Sequence, residues 1–264
     1  MNVNRTMSRA DFELPNMRAA ADLVQGTMLE LKRRGLIYSN WVGTLTPEHY
    51  PTTELNKGPG YEALPWFHDD PNIPWFTLWE YSWVLVNSGV LAAQNPLRIL
   101  SLGGSSSAFD AFLASLGHNI VVIEARPYTV ENTRKNIAEM GWDMEIVLGN
   151  IGNVRNLLSG RAPFDLCVST NVLFLSGEEA QKEVRDGLAD IVRMGGVHCF
   201  TFDVFNPNPK RYLADPVAHF DVRGFRVDPE GEEFYDNGER HHLYYPEPEL
   251  GRYTAGGLRQ VRVA

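Results

Sequence analysis

The hydrophobic and polar positions of the sequence contain one clear βαβ pattern. Residues 97 to 102 form a short apolar run, which is typical of a parallel strand buried on both faces. Apolar residues recur at helical spacing from 108 to 116, and Gly117 is expected to end that helix. A second apolar run covers 119 to 123. The pattern therefore predicts a strand, a helix and a strand, with Glu124 at the carboxyl end of the second strand.

Strands and helices continue to alternate toward the C-terminus. The predicted elements are a strand at 144–148, a strand at 164–171, a helix at about 178–193, a turn at Gly195-Gly196, a strand at 197–203, and final strands at 220–227, 241–245 and 258–263 with 253–257 between them. This alternation predicts an α/β fold with a doubly wound parallel sheet.

The first 95 residues follow a different pattern. A helix is predicted over 19–34, and the stretch 40–70, rich in Pro, Thr and Gly, is expected to be an ordered loop. Further along, an aromatic segment predicts a helix with one apolar face, formed by Trp79, Trp83, Val86 and Leu91. Core packing explains that face, and a lid over a ligand is the alternative. We therefore divide the chain into an N-terminal cap and substrate lid (1–95) and a nucleotide-binding domain (96–264).

The charge and hydropathy of the chain argue against nucleic acid and membrane as binding partners. The chain of 264 residues has a formal net charge of −9, and no basic run offers a face for nucleic-acid phosphates. The N-terminal sequence has no apolar signal core, and no stretch approaches the ~18 apolar residues needed to span a membrane. We expect a soluble cytoplasmic protein that binds neither nucleic acid nor membrane.

The two cysteines and two of the histidines are expected to be structural. Cys167 and Cys199 fall in predicted central strands without metal-site spacing, which favours reduced core thiols. His198 is expected to be a core residue of the fifth strand. His118 follows Gly117 in a turn and is expected to face solvent.

The turn after the first strand carries candidate chemistry. A nicotinamide enzyme should have G-x-G-x-x-G here, whereas this chain has two glycines, three serines and an alanine over 103–108. A wider, serine-lined turn suits a ligand without a pyrophosphate. Glu124 lies where open parallel sheets bind ligands, and its carboxylate can accept both hydroxyl groups of a ribose.

The segment resembles motif I and the following acidic motif of class I S-adenosylmethionine-dependent methyltransferases. The usual motif I is acid-x-G-x-G-x-G. Gly103 matches its first glycine, Ser105 and Ser107 replace the next two, and Ser101 replaces the acid. Glu124 matches the acid of the second motif. The resemblance implies a Rossmann-like methyltransferase sheet with an N-terminal helical and loop cap.

The resemblance also implies S-adenosyl-L-methionine as the cofactor and indicates which residues bind it. Asn150 is expected beside the adenine amino group and Ile151 on the adenine face, while the end of the fourth strand faces the sulfonium and the acceptor. The cofactor-binding residues implied are Gly103, Gly104, Ser105, Glu124, Ala125, Asn150, Ile151, Thr170 and Asn171.

A sulfonium is already an activated methyl donor, so catalysis is expected to rely on positioning, with at most one general base and no metal. The candidate bases are His241, His242, Asp203 and Glu80, of which His242 and Asp203 are preferred. At most one of the two adjacent histidines can reach the pocket, since neighbouring residues of a strand point to opposite faces.

The acceptor is expected to be a small molecule or a carrier-bound metabolite. The aromatic segment before motif I resembles a group of bacterial methyltransferases of this size, and Trp79, Glu80 and Tyr244 are the expected substrate contacts. Two alternatives stay open: an enzyme that uses the same cofactor for a different reaction, and a non-catalytic interaction module of the same fold. The acceptor atom and the oligomeric state are also open.

Overall fold

The computed structural model describes residues 3–36, 38–40, 43–45, 75–103, 107–206, 215–230, 232–233, 241–242 and 252–264. Its strands are β1 (Asn4–Thr6), β2 (Tyr38–Asn40), β3 (Gly43–Leu45), β4 (Arg98–Leu102), β5 (Asn119–Glu124), β6 (Met144–Leu148), β7 (Phe164–Thr170), β8 (Val192–Asn206), β9 (Phe225–Val227), β10 (Glu232–Glu233), β11 (His241–His242) and β12 (Arg252–Arg262). Its α-helices are α1 (Pro15–Arg33), α2 (Trp75–Asn87), α3 (Ala108–Ser115), α4 (Pro127–Met140), α5 (Val154–Leu157), α6 (Val172–Leu175), α7 (Glu178–Ile191) and α8 (Pro216–His219).

The main sheet places its strands in the order β10-β1-β12-β8-β7-β4-β5-β6, with β9 and β11 also paired to β12. Strands β4 to β8 are parallel to one another, and β12 runs antiparallel to β8. The chain moves outward from β4 through β5 and β6, then returns to the other side of β4 as β7 and β8. The order reverses beside β4, and ligands bind in such sheets outside the carboxyl ends of the strands at this point. The predicted doubly wound α/β fold is confirmed.

Alternate residues of each central strand enter two separate hydrophobic cores. Ile99, Ile120 and Val122 pack with residues of α1 to α4 on one face, whereas Leu100 and Val121 pack with residues of α5 and α7 on the other. Strands covered on both faces bury nearly every side chain, which explains why they are continuous apolar runs in the sequence.

The predicted strands and helices of the central region are confirmed to within a few residues, and the helix predicted over 19–34 begins earlier, at Pro15. Proline is favoured in the first turn of a helix, where its missing N–H has no intrahelical acceptor. Of the predicted late strands, 220–227 is shorter, covering Phe225–Val227, and only 241–242 is described of the strand predicted at 241–245. The loop expected at 40–70 lies outside the described residues except at 40 and 43–45.

The segment 253–257, expected to connect two strands, is instead part of β12. The sequence suggested a break because it contains Gly256-Gly257. In the structure, a Cβ on Gly257 would lie 2.5 Å from the Trp83 ring, and a Cβ on Gly256 would lie 2.7 Å from the Phe202 ring. The glycines therefore allow two aromatic rings to pack directly on the strand backbone.

The prediction of a turn at Gly195-Gly196 was also wrong. Both residues lie within β8, which covers Val192–Asn206. The pairing with β7 shifts register there, from Phe164 opposite Val192 to Leu166 opposite Val197. Extra residues on one strand form a β-bulge, so a glycine pair with one positive φ is accommodated without ending the strand.

Two individual side chains also differ from expectation. Leu91 does not share the face of α2, because the helix ends at Asn87 and Leu91 lies in a separate 3-10 turn with 41% of its surface exposed. His118 is buried rather than exposed, and its Nδ1 accepts a hydrogen bond from the backbone N–H of Leu97 at 3.1 Å. His198 and both cysteines are buried, as expected, and the cysteines are unpaired with each other.

The N-terminal segment contributes to the main sheet through β1, which pairs with β12. The division of the chain near residue 95 stays a prediction. Among the described helices, none has the length and the apolar character required for crossing a membrane.

Candidate functional site

The turn after β4 begins at Gly103, at the point where the sheet order reverses. Gly103 has φ +81° and its backbone N–H donates to the carbonyl oxygen of Ile123 at 2.9 Å, which fixes the turn beside the end of β5. A Cβ on Gly103 would lie 2.5 Å from Cγ1 of Val172. The first glycine of the motif is therefore required both by its backbone conformation and by close packing. Gly104 and Ser105 lie outside the described residues.

Gly103→Ala should destabilise the fold by about 1–2 kcal/mol more than Gly117→Ala does. Both glycines have positive φ, so both variants bear the backbone cost of a left-handed alanine. Only Gly103 has an atom within 4 Å of the added methyl group, so only this variant overpacks. Thermal unfolding of the two variants measures the difference, and equal losses of stability would contradict the close packing against Val172.

Glu124 ends β5 with its carboxylate buried and bound by one arginine. The residue is 4% exposed, and it accepts hydrogen bonds from the backbone N–H of Arg126 at 3.0 Å and from the Arg126 guanidinium at 3.0 and 3.2 Å. The guanidinium contacts both carboxylate oxygens, while 63% of the Arg126 side chain is exposed. Ala125, between them, is exposed. The structure thus places an oriented carboxylate next to the turn of Gly103.

A second buried carboxyl group lies in the first turn of α3. Asp110 is 1% exposed, and the Ser107 hydroxyl, which caps the helix, donates to its Oδ2 at 2.9 Å. Its Oδ1 accepts no hydrogen bond from any described residue. Burial raises the pKa of Asp110 to about 7, and the charge of Glu124 acts in the same direction, whereas the hydroxyl groups of Ser101 and Ser107 oppose it.

The end of β6 brings Asn150 and Ile151 to the same edge of the sheet. The Asn150 side chain accepts a hydrogen bond from the backbone N–H of Gly152 at 2.8 Å and so caps a short 3-10 helix. Ile151 is 6% exposed and packs in the core on the α7 face. The adenine contacts expected of these two residues stay predictions.

The end of β7 has an unusual backbone conformation. Thr170 is the last residue of the strand, and Asn171 follows with φ 64°, the one non-glycine residue with positive φ in the described part of the chain. Asn171 is 2% exposed, and its N–H donates to the carbonyl oxygen of Thr201 at 3.2 Å. Such a conformation costs of order 1–3 kcal/mol and is concentrated at ligand sites. It turns the chain directly into α6, which brings Val172 against Gly103.

Two of the expected substrate residues are buried on α2. Trp79 is fully buried, and its indole N–H donates to Oδ2 of Asp11 at 2.6 Å. Asp11 also pairs with Arg5, so the helix is tied to the N-terminal segment. Glu80 is 1% exposed. This burial is what the core-packing explanation expects of Trp79, and the substrate roles of Trp79 and Glu80 stay predictions.

The two preferred bases are far apart in the sheet. Asp203 pairs with Ala255, whereas His242 pairs with Arg252, which in turn pairs with Asn206. With ~4.8 Å between strands and ~3.3 Å per residue, two strand spacings and three residues separate their backbones by about 14 Å. One acceptor proton can therefore be removed by only one of them. Tyr244 lies outside the described residues.

Two residues of this site, Arg126 and Asp110, were not predicted from the sequence. Arg126 was not singled out, because an arginine two residues after a strand is ordinarily a surface residue. Asp110 follows Ser107 by three residues, which is the spacing of a helix cap, and a capping acid is ordinarily exposed. The signal for Asp110 is the apolar helix around it, where Phe109 packs its ring 5.2 Å from that of Tyr81.

In the part of the chain that the structure describes, no group of three or more His, Cys, Asp or Glu residues is arranged to hold a metal ion. The expectation of metal-free catalysis stays a prediction.

Comparison with known proteins identifies the fold. TehB from Haemophilus influenzae matches 66% of this chain with 14% sequence identity and a TM-score of 0.50, and the match spans 61% of that protein. A proposed sarcosine dimethylglycine methyltransferase from Galdieria sulphuraria matches 69% of this chain and 84% of its own, with 13% identity and a TM-score of 0.51. A protein solved in connection with the conversion of a disulfide bond into a thioacetal group in echinomycin biosynthesis matches 66% of this chain and 79% of its own, with 15% identity and a TM-score of 0.50.

The chain therefore has the class I S-adenosylmethionine-dependent methyltransferase fold. No family profile and no curated protein matches the sequence. At these identities the likeness establishes the fold alone, and the chemistry has to be argued from the site.

Proposed function

We propose that this protein transfers a methyl group from S-adenosyl-L-methionine to a small-molecule or carrier-bound acceptor. The observation that carries the proposal is Glu124, an oriented, buried carboxylate at the carboxyl end of β5 and beside the turn of Gly103. A carboxylate in that place can accept both hydroxyl groups of a ribose, and the fold is one that methyltransferases use.

The residues of the site fit such a ligand. Gly103 lies against the end of β5, so Glu124 and the carboxyl end of β4 would hold the cofactor together at this edge of the sheet. The bound donor supplies an activated methyl group. This chain's residues hold the acceptor in line with that group, exclude water and, for a protonated acceptor, remove one proton.

The net charge of −9 supports a metabolite rather than a nucleic acid as the acceptor. Two acidic groups are buried at this edge, Asp110 on α3 and Glu124 on β5. A polyanionic acceptor would be repelled by such a group of acids, whereas a neutral or cationic metabolite would not.

Calorimetric titration of the full chain with S-adenosylmethionine and with S-adenosylhomocysteine tests the cofactor. We expect both to bind with dissociation constants in the micromolar range, about −8 kcal/mol, and NAD to bind at least tenfold more weakly, since the sequence has Ser105 where the dinucleotide motif has the second glycine, at which the backbone approaches the pyrophosphate. If neither adenosyl compound binds, the proposal is wrong.

The reaction is tested with S-adenosylmethionine labelled in the methyl group, incubated with the protein and a cell extract separated into metabolites, proteins and nucleic acids. Label in metabolites, free or attached to a carrier, supports the proposal. Label in nucleic acid, or consumption of the cofactor without methyl transfer, would contradict it.

A further inference from the structure

The carboxyl group of Asp110 is buried without a basic partner. Among the described residues, no Lys, Arg or His is hydrogen-bonded or ion-paired to it, and its Oδ1 has no hydrogen-bond donor. The neighbours that act on its charge are the hydroxyl groups of Ser101 and Ser107 and one other acid, Glu124. A buried carboxylate in such surroundings is costly unless it is protonated or meets a cation.

The geometry of the sheet places this group at the ligand edge. Ser101 is opposite Val122 in the β4–β5 register, and Glu124 is two residues further along β5, so Ser101 and Glu124 share one face of the sheet. Residues of α3 pack on that face in the core formed with Ile99 and Val122. Asp110 thus lies on the same side as Glu124, at the start of α3 and near Ser101 of β4.

The atom of Asp110 that lacks a hydrogen-bond partner among the described residues, Oδ1, is an acceptor. Oδ1 requires an N–H or O–H donor, and among the cationic groups of the proposed donor molecule only the ammonium of its methionine part has hydrogens to donate. A sulfonium has none. The charge of Glu124 raises the pKa of Asp110, although no hydrogen bond joins the two groups. Asp110 is therefore placed to meet a part of the ligand beyond the ribose.

We propose that Asp110 accepts a hydrogen bond from the ammonium group of S-adenosylmethionine and loses a proton when that group binds. The inference rests on the proposed function. Under this proposal, Asp110 in the first turn of α3 takes the place of the motif I acid, at whose position on β4 the chain has Ser101.

The raised pKa of Asp110 agrees with loss of a proton when the ammonium binds. Burial raises the pKa of Asp110 to about 7, so the carboxyl group is protonated below neutral pH in the free protein. Binding of an ammonium favours the ionised form, so affinity should fall as pH falls below 7, up to tenfold per pH unit. The other groups around it are Glu124 on β5 and, on α2, Tyr81, whose pKa is raised by burial and by the charges of Glu80 and Asp110. Helix α1 also packs on α3, but no charged side chain of α1 is among the causes of the raised pKa of Asp110.

The test compares wild type and Asp110→Asn by calorimetry with three probes. S-adenosylmethionine has an ammonium and a sulfonium, S-adenosylhomocysteine has the ammonium alone, and methylthioadenosine has neither. We expect Asp110→Asn to weaken binding of the first two by tenfold or more at pH 7 and to leave methylthioadenosine within twofold. Between pH 5.5 and 7, affinity for S-adenosylhomocysteine should rise with pH in wild type and be flat in Asp110→Asn.

Each other outcome is decisive. A loss confined to S-adenosylmethionine would assign Asp110 to the sulfonium and overturn the ammonium contact. Equal weakening of all three probes would show a structural role and overturn it as well. If all three probes bind wild type and Asp110→Asn changes none, the inference fails while the proposed function stands. If no probe binds wild type, both fail.

A second measurement covers the case in which Asp110→Asn does not fold. Titration of wild type with S-adenosylhomocysteine in two buffers of different ionisation enthalpy measures protons released on binding. A group with a pKa of about 7 should release about half a proton at pH 7 and more at pH 6. No proton release at either pH would overturn the proposal.

Discussion

Replacing the general base should lower turnover by roughly 10²-fold or more while cofactor affinity stays nearly constant. Proton removal by a positioned side chain contributes about 10²–10⁴-fold, and this contribution appears in kcat because it acts in the transition state. The variants are Asp203→Asn and His242→Gln, measured as steady-state kinetics with the acceptor identified by methyl labelling.

The loss should be confined to one of these variants, because their backbones lie about 14 Å apart in the sheet. His241→Gln decides which histidine matters: the register puts His241 with Asp203 in one set of alternating positions and His242 in the other. Asp143→Asn is the matched control for the aspartate, since Asp143 is exposed and precedes β6 at the amino edge of the sheet. Full turnover of both Asp203→Asn and His242→Gln from pH 6 to 9 would exclude both as bases.

Replacing Glu124 should weaken cofactor binding by about 1.5–3 kcal/mol, or on the order of tenfold to a hundredfold. This is the usual range for hydrogen bonds to a charged group, and the carboxylate is buried enough to be little screened by solvent. Glu124→Gln keeps the shape of the side chain, and Glu124→Ala removes it. Titration with S-adenosylhomocysteine measures the effect, with thermal unfolding to show that the variants are folded.

Replacing Arg126 gives a second test of the assignment of Glu124 to the ribose. Its backbone N–H and guanidinium occupy three acceptor positions of the Glu124 carboxylate, which has about four, so a ribose diol can bind only if the exposed guanidinium withdraws. Arg126→Ala should therefore bind the cofactor at least as tightly as wild type. If Arg126→Ala weakens binding as much as Glu124→Gln, the pair is structural and the ribose assignment is wrong.

Glu145→Gln is the matched control for Glu124. Glu145 also pairs with an arginine through both carboxylate oxygens, to Arg161 at 2.6 and 2.7 Å, but it lies near the amino end of β6. Its replacement should leave cofactor affinity unchanged. Comparable weakening by Glu145→Gln would show that the loss follows from breaking an ion pair anywhere in the sheet.

The sequence by itself determined the central sheet, because parallel strands covered on both faces must be continuous apolar runs. The runs at β4, β5, β6 and β7 are located within a residue or two by the sequence pattern. The carboxyl edge follows from strand direction, so the same pattern predicts that Gly103 and Glu124 lie together, as they do. These features depend on local periodicity and on the constraint that parallel strands end at one edge.

Only the tertiary structure decided which polar groups are buried and which glycines lie within strands. Asp110 has the spacing of an exposed capping acid, and packing of α2 and α3 against one face of the sheet is what removes it from water. Gly256 and Gly257 look like a turn until Phe202 and Trp83, distant in sequence, are seen to pack on their backbone. The side chain of His118 is buried for a similar reason, since it meets the N–H of Leu97 from a neighbouring segment. Burial depends on contacts between residues far apart in the chain, and local sequence patterns do not contain them.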